Sequence, residues 1–176
     1  MVIEELSTDN LREGVFCAQG KPFGEDMYDQ LGAWLDGRRL RGRLARLDSG
    51  EVAGFILYYP VEQAPIDIEG EGVYVVQCVH VRKPYHSGIG RALVESAISD
   101  ARECGASGLA VEGLREQKPG DLGYIPGLFL QHVGLSPEED RGPTTLYYVD
   151  FGAGARPRYL PPGFQPPEDK AKVRID

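Results

Sequence analysis

The sequence predicts an α/β or α+β fold in a single domain, and three observations carry that prediction. The run "GVYVVQCVHV" (72–81) is β-branched and nearly continuously apolar, the pattern of a strand buried on both faces. A short loop with two glycines follows it, and then Leu93, Val94, Ala97, Ile98 and Ala101 recur at helical spacing. Around this strand–loop–helix unit, strand-like and helix-like segments alternate with turn residues between them.

The elements follow in chain order. "STDNLREGVFCAQG" offers helix-capping residues at Ser7, Thr8 and Asp9, then a short helical stretch that Gly14 weakens. "GEDMYDQLGAWLDG" places Met27, Leu31, Trp34 and Leu35 on one helical face, and Gly37 ends that helix. "RLRGRLARL" and "EVAGFILYY" read as two strands joined at Asp48-Ser49-Gly50. Pro60 and Pro65 bracket an irregular segment. The long strand and its helix come next, and Cys104-Gly105 ends the helix. "SGLAVEGL" is a short buried strand, "REQKPGDLGY" a polar loop, "IPGLFLQHVG" a short helix starting near Pro126, and "TTLYYVDF" a last strand. The expected domain is 1–152. Residues 153–176 are rich in proline and glycine and are expected to be a docked extended arm or a disordered tail.

The chain has 176 residues, a net charge of −8 and 41% apolar residues, which suits one well-buried domain. The acidic balance argues against general binding to nucleic acid or to anionic membranes. Cys17, Cys78 and Cys104 are widely spaced and odd in number. No metal-ligand spacing is present, so reduced thiols in a cytoplasmic protein are expected and no metal site. "MVIEELSTDN" lacks the basic region and apolar run of a signal peptide. No stretch approaches the about 18 apolar residues of a membrane span.

The segment "HVRKPYHSGIGRALVESA" (80–97) concentrates the chemistry. A helix N-terminus offers unpaired N–H groups and the positive end of the helix dipole. Glycines at 88 and 90 let a ligand approach that backbone, which suits a pyrophosphate. Ser87 adds a hydroxyl and Arg91 a cation. The same residues also suit a tight strand-to-helix turn without a ligand. Position 93 is Leu, so the third glycine of a dinucleotide fingerprint is missing, and Gly-Lys-Ser/Thr is absent. NAD and ATP are therefore disfavoured, and other pyrophosphate ligands remain.

"VVQCVHVRKPYHSGIGRALVESAISDARECGASGLAVEG", followed by "GLFLQHVGL", resembles the GNAT N-acyltransferases over about residues 40–150. "GVFCAQGKPFG", "AWL", "GFILYYP" and "VQCVHV" are similar to the YoaP-like branch of that family. The resemblance implies a mixed, mostly antiparallel central sheet flanked by helices, with acetyl-CoA as acyl donor. It implies N-acyl transfer to a primary amine of a small molecule or peptide; a monomer or homodimer is expected and, from the acidic charge, no nucleic-acid or membrane partner. The cofactor residues it implies are Val79, His80, Val81, His86, Ser87, Gly88, Ile89, Gly90 and Arg91. The backbone groups of Val79 and Val81 would meet the pantetheine arm.

The catalytic candidates are Gln77, which shares a strand face with Val79 and Val81 and could order a water, and Glu112 as base, which as an ordinary strand-end carboxylate would have no such role. Three departures stand out: Tyr85 replaces the usual Gln or Arg, the strand-to-glycine segment is one residue short, and Leu130 occupies the position of a Tyr general acid. The alternative function is a degenerate module that binds acetyl-CoA without turnover.

Other residues have plainer readings. His80 alternates away from Gln77, toward the face opposite the thioester. His132 suits a helix end. Cys78 packs under the helix, and no base is visible to make it a nucleophile. Cys17 lies in the region that shapes the acceptor pocket in this family. Arg38, Arg39, Arg41, Arg43 and Arg46 read as a solvated basic face, or else as a surface for an acidic acceptor. Trp34, Tyr58, Tyr59 and Tyr74 line an acceptor cleft or pack in the core.

Overall fold

The computed structural model describes residues 1–16, 22–85, 88–116, 125–154 and 156–161. Its elements, in chain order, are β1 (Val2–Glu5), α1 (Leu11–Gly14), α2 (Glu25–Asp36), β2 (Arg41–Arg46), β3 (Val52–Pro60), a 3-10 turn (Val61–Gln63), β4 (Ile68–Glu69) and β5 (Val73–Val81). Then come α3 (Ile89–Glu103), β6 (Gly108–Leu114), β7 (Ile125–Pro126), α4 (Gly127–His132), β8 (Ser136–Arg141), β9 (Thr144–Asp150) and β10 (Arg158–Tyr159). This is mixed, mostly antiparallel β structure with helices alongside. The chain divides into two compact units, Met1–Tyr58 with Val76–Asp100, and Tyr59–Val75 with Ala101–Asp176.

In the first unit the strand order is β1-β2-β3-β5. β2 and β3 form the expected hairpin, with Leu44 opposite Phe55 and Arg41 opposite Tyr58. Its turn closes at Gly50, whose φ of +88° suits glycine. Alternation along β3 sends Gly54, Ile56 and Tyr58 to one face and Ala53, Phe55 and Leu57 to the other. The first face meets α3: a Cβ on Gly54 would lie 3.3 Å from Leu93 Cδ1, and Tyr58 donates to Asp100 Oδ2 at 2.6 Å. The second face meets the residues after α1: the rings of Phe16 and Phe55 pack edge to face at 5.1 Å.

The N-terminal region differs from the sequence reading. A strand, β1, precedes the first helix and pairs with β2. Asn10, not Ser7, Thr8 or Asp9, stands at the start of α1, and its side chain caps nothing. It instead accepts from Ser7 N and donates to Glu5 O, tying the strand end to the turn. Gly14 is a close-packing residue, since a Cβ there would lie 2.5 Å from Leu44 Cδ1. In α2 the buried face is Tyr28, Leu31, Gly32 and Trp34. Met27 and Leu35 are half-buried, so the apolar stripe is rotated from the expected one. Tyr28 is drawn inward because its hydroxyl donates to Val15 O at 2.9 Å.

Arg38 is exposed, as expected of the basic run, but Arg41, Arg43 and Arg46 are not on a solvated face. Arg41 donates from Nε and Nη2 to Asp100 at 2.5 and 2.7 Å, and Arg43 joins the same carboxylate. Arg46 pairs with Glu4 and Glu13. Alternation does put Arg41 and Arg43 together, but it puts them under α3, where Asp100 is only 5% exposed.

In the second unit β6 pairs antiparallel with β9 and parallel with β7, and β9 pairs with β8. β8, "SPEEDR", has no apolar alternation and is almost wholly exposed, which is why its sequence does not announce a strand. α4 starts after Pro126, as expected. Within the segment read as a tail, Arg158 and Tyr159 form β10, opposite Glu69 and Ile68 of β4.

Candidate functional site

The site builds from β5 into α3. Only the first half of β5 is buried: Val73, Val75 and Val76 are core residues, whereas Gln77 is exposed and residues 78–81 are half-buried. The expectation of burial on both faces therefore fails beyond Val76. Gln77, Val79 and Val81 alternate onto one face of this less buried stretch. Cys78 faces the other way. Burial pushes its thiol up to about 11, so it is protonated near neutral pH and unsuited to nucleophilic attack.

After β5, Tyr85 N donates to Arg82 O at 2.8 Å, and the Tyr85 hydroxyl donates to Glu51 Oε2 at 2.9 Å. Gly88 has a φ of +81°, where an L side chain would be strained, and among the described residues beyond its chain neighbours no atom lies within 4 Å of its Cβ position. Ala92 N donates to Gly88 O at 2.9 Å and begins the helical ladder. Hence the N–H groups of Ile89, Gly90 and Arg91 have no partner in the helix above them. Ile89 buries its side chain, at 5% exposure, so only its backbone can serve a ligand. The Arg91 side chain is exposed and paired with Glu95 at 2.7 Å. His86, Ser87 and Cys17 lie outside the described residues.

His80 of β5, and Arg82 just after the strand, project toward Phe16 and Phe55. The His80 ring stands edge to face with Phe16 at 5.2 Å and is tilted against Phe55 at 6.1 Å. The Arg82 guanidinium lies 4.0 Å above the Phe16 ring centroid. Burial, and then the charge of Arg82, lower the pKa of His80, so its imidazole is neutral at neutral pH. By period-2 alternation His80 is out of phase with Gln77, Val79 and Val81. In the sequence, Phe16 and Phe55 carry no signal of this cluster, and Arg82 carries only its period-2 spacing from His80.

Glu112 belongs to the second unit. Its Oε2 accepts from Arg141 Nη2 at 3.3 Å, and Arg141 also lies 3.8 Å from Asp67 and 4.0 Å above the Tyr159 ring. Burial, with Glu112 among its neighbours, pushes the Tyr159 hydroxyl up to about 12. Leu130 is fully buried and packs where a Cβ on Gly113 would lie 2.6 Å from its Cδ1. Tyr58 and Tyr59 are core residues, fully buried. His132 is exposed, with Nδ1 2.6 Å from Leu128 O. Among the described residues no cluster of His, Cys, Asp and Glu could hold a metal ion, and no helix is long and apolar enough to cross a membrane.

A strand buried only in its first half, a glycine at positive φ and a helix whose first three N–H groups have no partner among the described residues define a protein of the α/β class with a backbone cradle suited to a phosphate. The chain belongs to the GNAT acetyltransferase family, whose model matches residues 5–118. It is 23% identical over 142 residues to YoaP, an uncharacterised N-acetyltransferase of Bacillus subtilis (strain 168). That match covers 79% of this chain and 55% of the relative, so the chain spans about half the length of the curated protein it matches. Among solved structures it is similar to the PaiA N-acetyltransferase of Thermoplasma acidophilum in complex with coenzyme A. The TM-score there is 0.53 and the identity 15%, over 86% of this chain and all (100%) of that one. A variant of the SpeG spermidine N-acetyltransferase of Vibrio cholerae is similar with a TM-score of 0.58 and 10% identity, over 85% and 92% of the two chains.

Proposed function

We propose that the chain is an N-acyltransferase that moves an acetyl or short acyl group from acyl-CoA to a primary amine by direct transfer. The observation that carries this reading is the Gly88 cradle. Its φ of +81° and the open space beyond its Cβ position leave the N–H groups of Ile89, Gly90 and Arg91 approachable, and a pyrophosphate is the ligand such a cradle suits. His86 and Ser87 would add to it. Val79 and Val81 would offer backbone groups to the pantetheine arm, and an N–H there would polarise the thioester oxygen. The protein's main work would be to hold amine and thioester together and to take a proton from the attacking ammonium.

Gln77 carries no basic group, so its part would be to order a water. Glu112 is the candidate base, and Glu112→Gln tests it: loss of turnover with coenzyme A affinity unchanged supports the role. The binding claim is tested by melting. Acetyl-CoA at 100 times its dissociation constant should stabilise the folded chain by about 2.7 kcal/mol. No shift at millimolar acetyl-CoA would defeat the reading. Gly88→Glu should abolish the shift by setting a carboxylate against the phosphates.

Two observations favour a second reading, a module that binds acyl-CoA without turnover. Leu130 puts a fully buried alkyl group where the resemblance expects a general acid, and Arg141 already engages Glu112. Thiol release measured against pooled amines separates the two. Stabilisation by acetyl-CoA with no release for any amine would support the second.

A further inference from the structure

Among the described residues Arg82 is a cation with no counter-charge, stacked on an aromatic ring. Its Nε is buried and makes no hydrogen bond, and no carboxylate among the described residues pairs with its guanidinium. Its neighbours in the first unit are treated differently: Arg41 and Arg43 share Asp100, and Arg46 holds Glu4 and Glu13. Arg43 also has a buried Nε without a bond, but Asp100 compensates its charge. Among the described residues Arg82 has the face of Phe16, 4.0 Å away, and no carboxylate. A stacked guanidinium keeps its planar fork of donors free at the edge, and that fork matches a carboxylate or phosphate. The rings of Phe16 and Phe55 form a low-dielectric wall that strengthens such a pair. The neutral His80 adds no competing charge.

We propose that Arg82 binds an anionic group of the acyl acceptor, a carboxylate or a phosphate, on the face of β5 opposite α3. The inference rests on the acyl-transfer reading. The assignment to the acceptor follows from the faces. α3 lies against the Gly54 and Tyr58 face of β3, and its N-terminus is the cradle proposed for coenzyme A. Arg82 points to the Phe16 and Phe55 face. A group bound there approaches the strand from the other side. Arg82 is three residues beyond Val79, about 10 Å along an extended strand. An acceptor with several bonds between its amine and its anion fits that spacing better than an α-amino acid.

The test is a ladder of probes: glycine, β-alanine, 4-aminobutanoate and 6-aminohexanoate, each beside its carboxamide, with 3-aminopropylphosphonate as the phosphate analogue and spermidine as the opposite charge. Calorimetry is run on the free protein and on the protein saturated with coenzyme A. The longer acids and the phosphonate should bind at least about tenfold tighter than the carboxamides or spermidine, as expected for a charge-assisted pair. Arg82→Gln should erase the difference, and Arg82→Lys should keep part of it. Coenzyme A affinity should be unchanged in both variants, with circular dichroism checking that they fold. Equal binding of acid and amide, or no binding of any probe, overturns the proposal. So does Arg82→Gln weakening coenzyme A while the acid–amide difference persists, because the anion would then be the cofactor's. Failure of coenzyme A to bind the wild type would defeat the acyl-transfer reading instead, and the free-protein arm still decides whether Arg82 selects anions.

Discussion

Asp100 shows how much one side chain can organise. Burial alone would raise its pKa. Hydrogen bonds from Arg41 and Tyr58, with the charges of Arg41 and Arg43, overcome that and hold the carboxyl at about 2. Asp100→Asn would leave two half-buried arginines without their counter-charge. It should destabilise the chain by about 3–5 kcal/mol, read as a lower urea midpoint with unchanged slope. Leu130 makes the opposite point. It stands where the family resemblance looks for a tyrosine, yet its side chain fills the space against Gly113. Leu130→Tyr should therefore overpack the second unit, costing about 1–3 kcal/mol, and should not raise turnover. A gain in thiol release without loss of stability would contradict that packing argument.

At the scale of elements, β3 and β5 approach so closely at Gly54 that a Cβ there would lie 2.5 Å from His80 O and 3.2 Å from Val81 Cα. These are backbone atoms and cannot swing aside. Gly54→Ala should push β3 from the half of β5 that carries Val79 and Val81. The expected result is a loss of at least about 1 kcal/mol of stability and a weaker melting shift with acetyl-CoA. A full shift in that variant would mean that β5 does not position the ligand. In the second unit, Tyr159 of β10 is 8% exposed and lies beneath Arg141. Tyr159→Ala should cost about 3–5 kcal/mol, the range for a buried aromatic, by urea unfolding.

For the whole molecule, Asp100 sets a limit on acid stability. Its folded pKa of about 2 lies below the ordinary 3.8. The stability it confers is therefore complete above the unfolded pKa and is lost as pH falls from about 4 toward 2. The pKa difference corresponds to about 2 kcal/mol. Unfolding free energies measured between pH 5 and pH 2 should decline by that much more in the wild type than in Asp100→Asn. Equal decline in both would show that other carboxylates control the acid limit.

Much of the fold is legible in the chain itself, because its strongest signals are local. The β2–β3 hairpin, the turn at Gly50, the start of α4 after Pro126 and the end of α3 before Gly105 all follow from residues that dictate their own backbone. β1 and β8 were not legible, since short or charged strands exist only through the partner that pairs with them. The same division runs through the candidate site. Gly88 and Gly90 at the head of an amphipathic helix pointed to an anion cradle from sequence, since a positive φ and free N–H groups are local properties. That Arg41 and Arg43 are consumed by a buried Asp100 while Arg82 keeps its charge was decided only by tertiary packing. All three arginines look alike in the sequence, and what distinguishes them is which carboxylate the fold brings within reach.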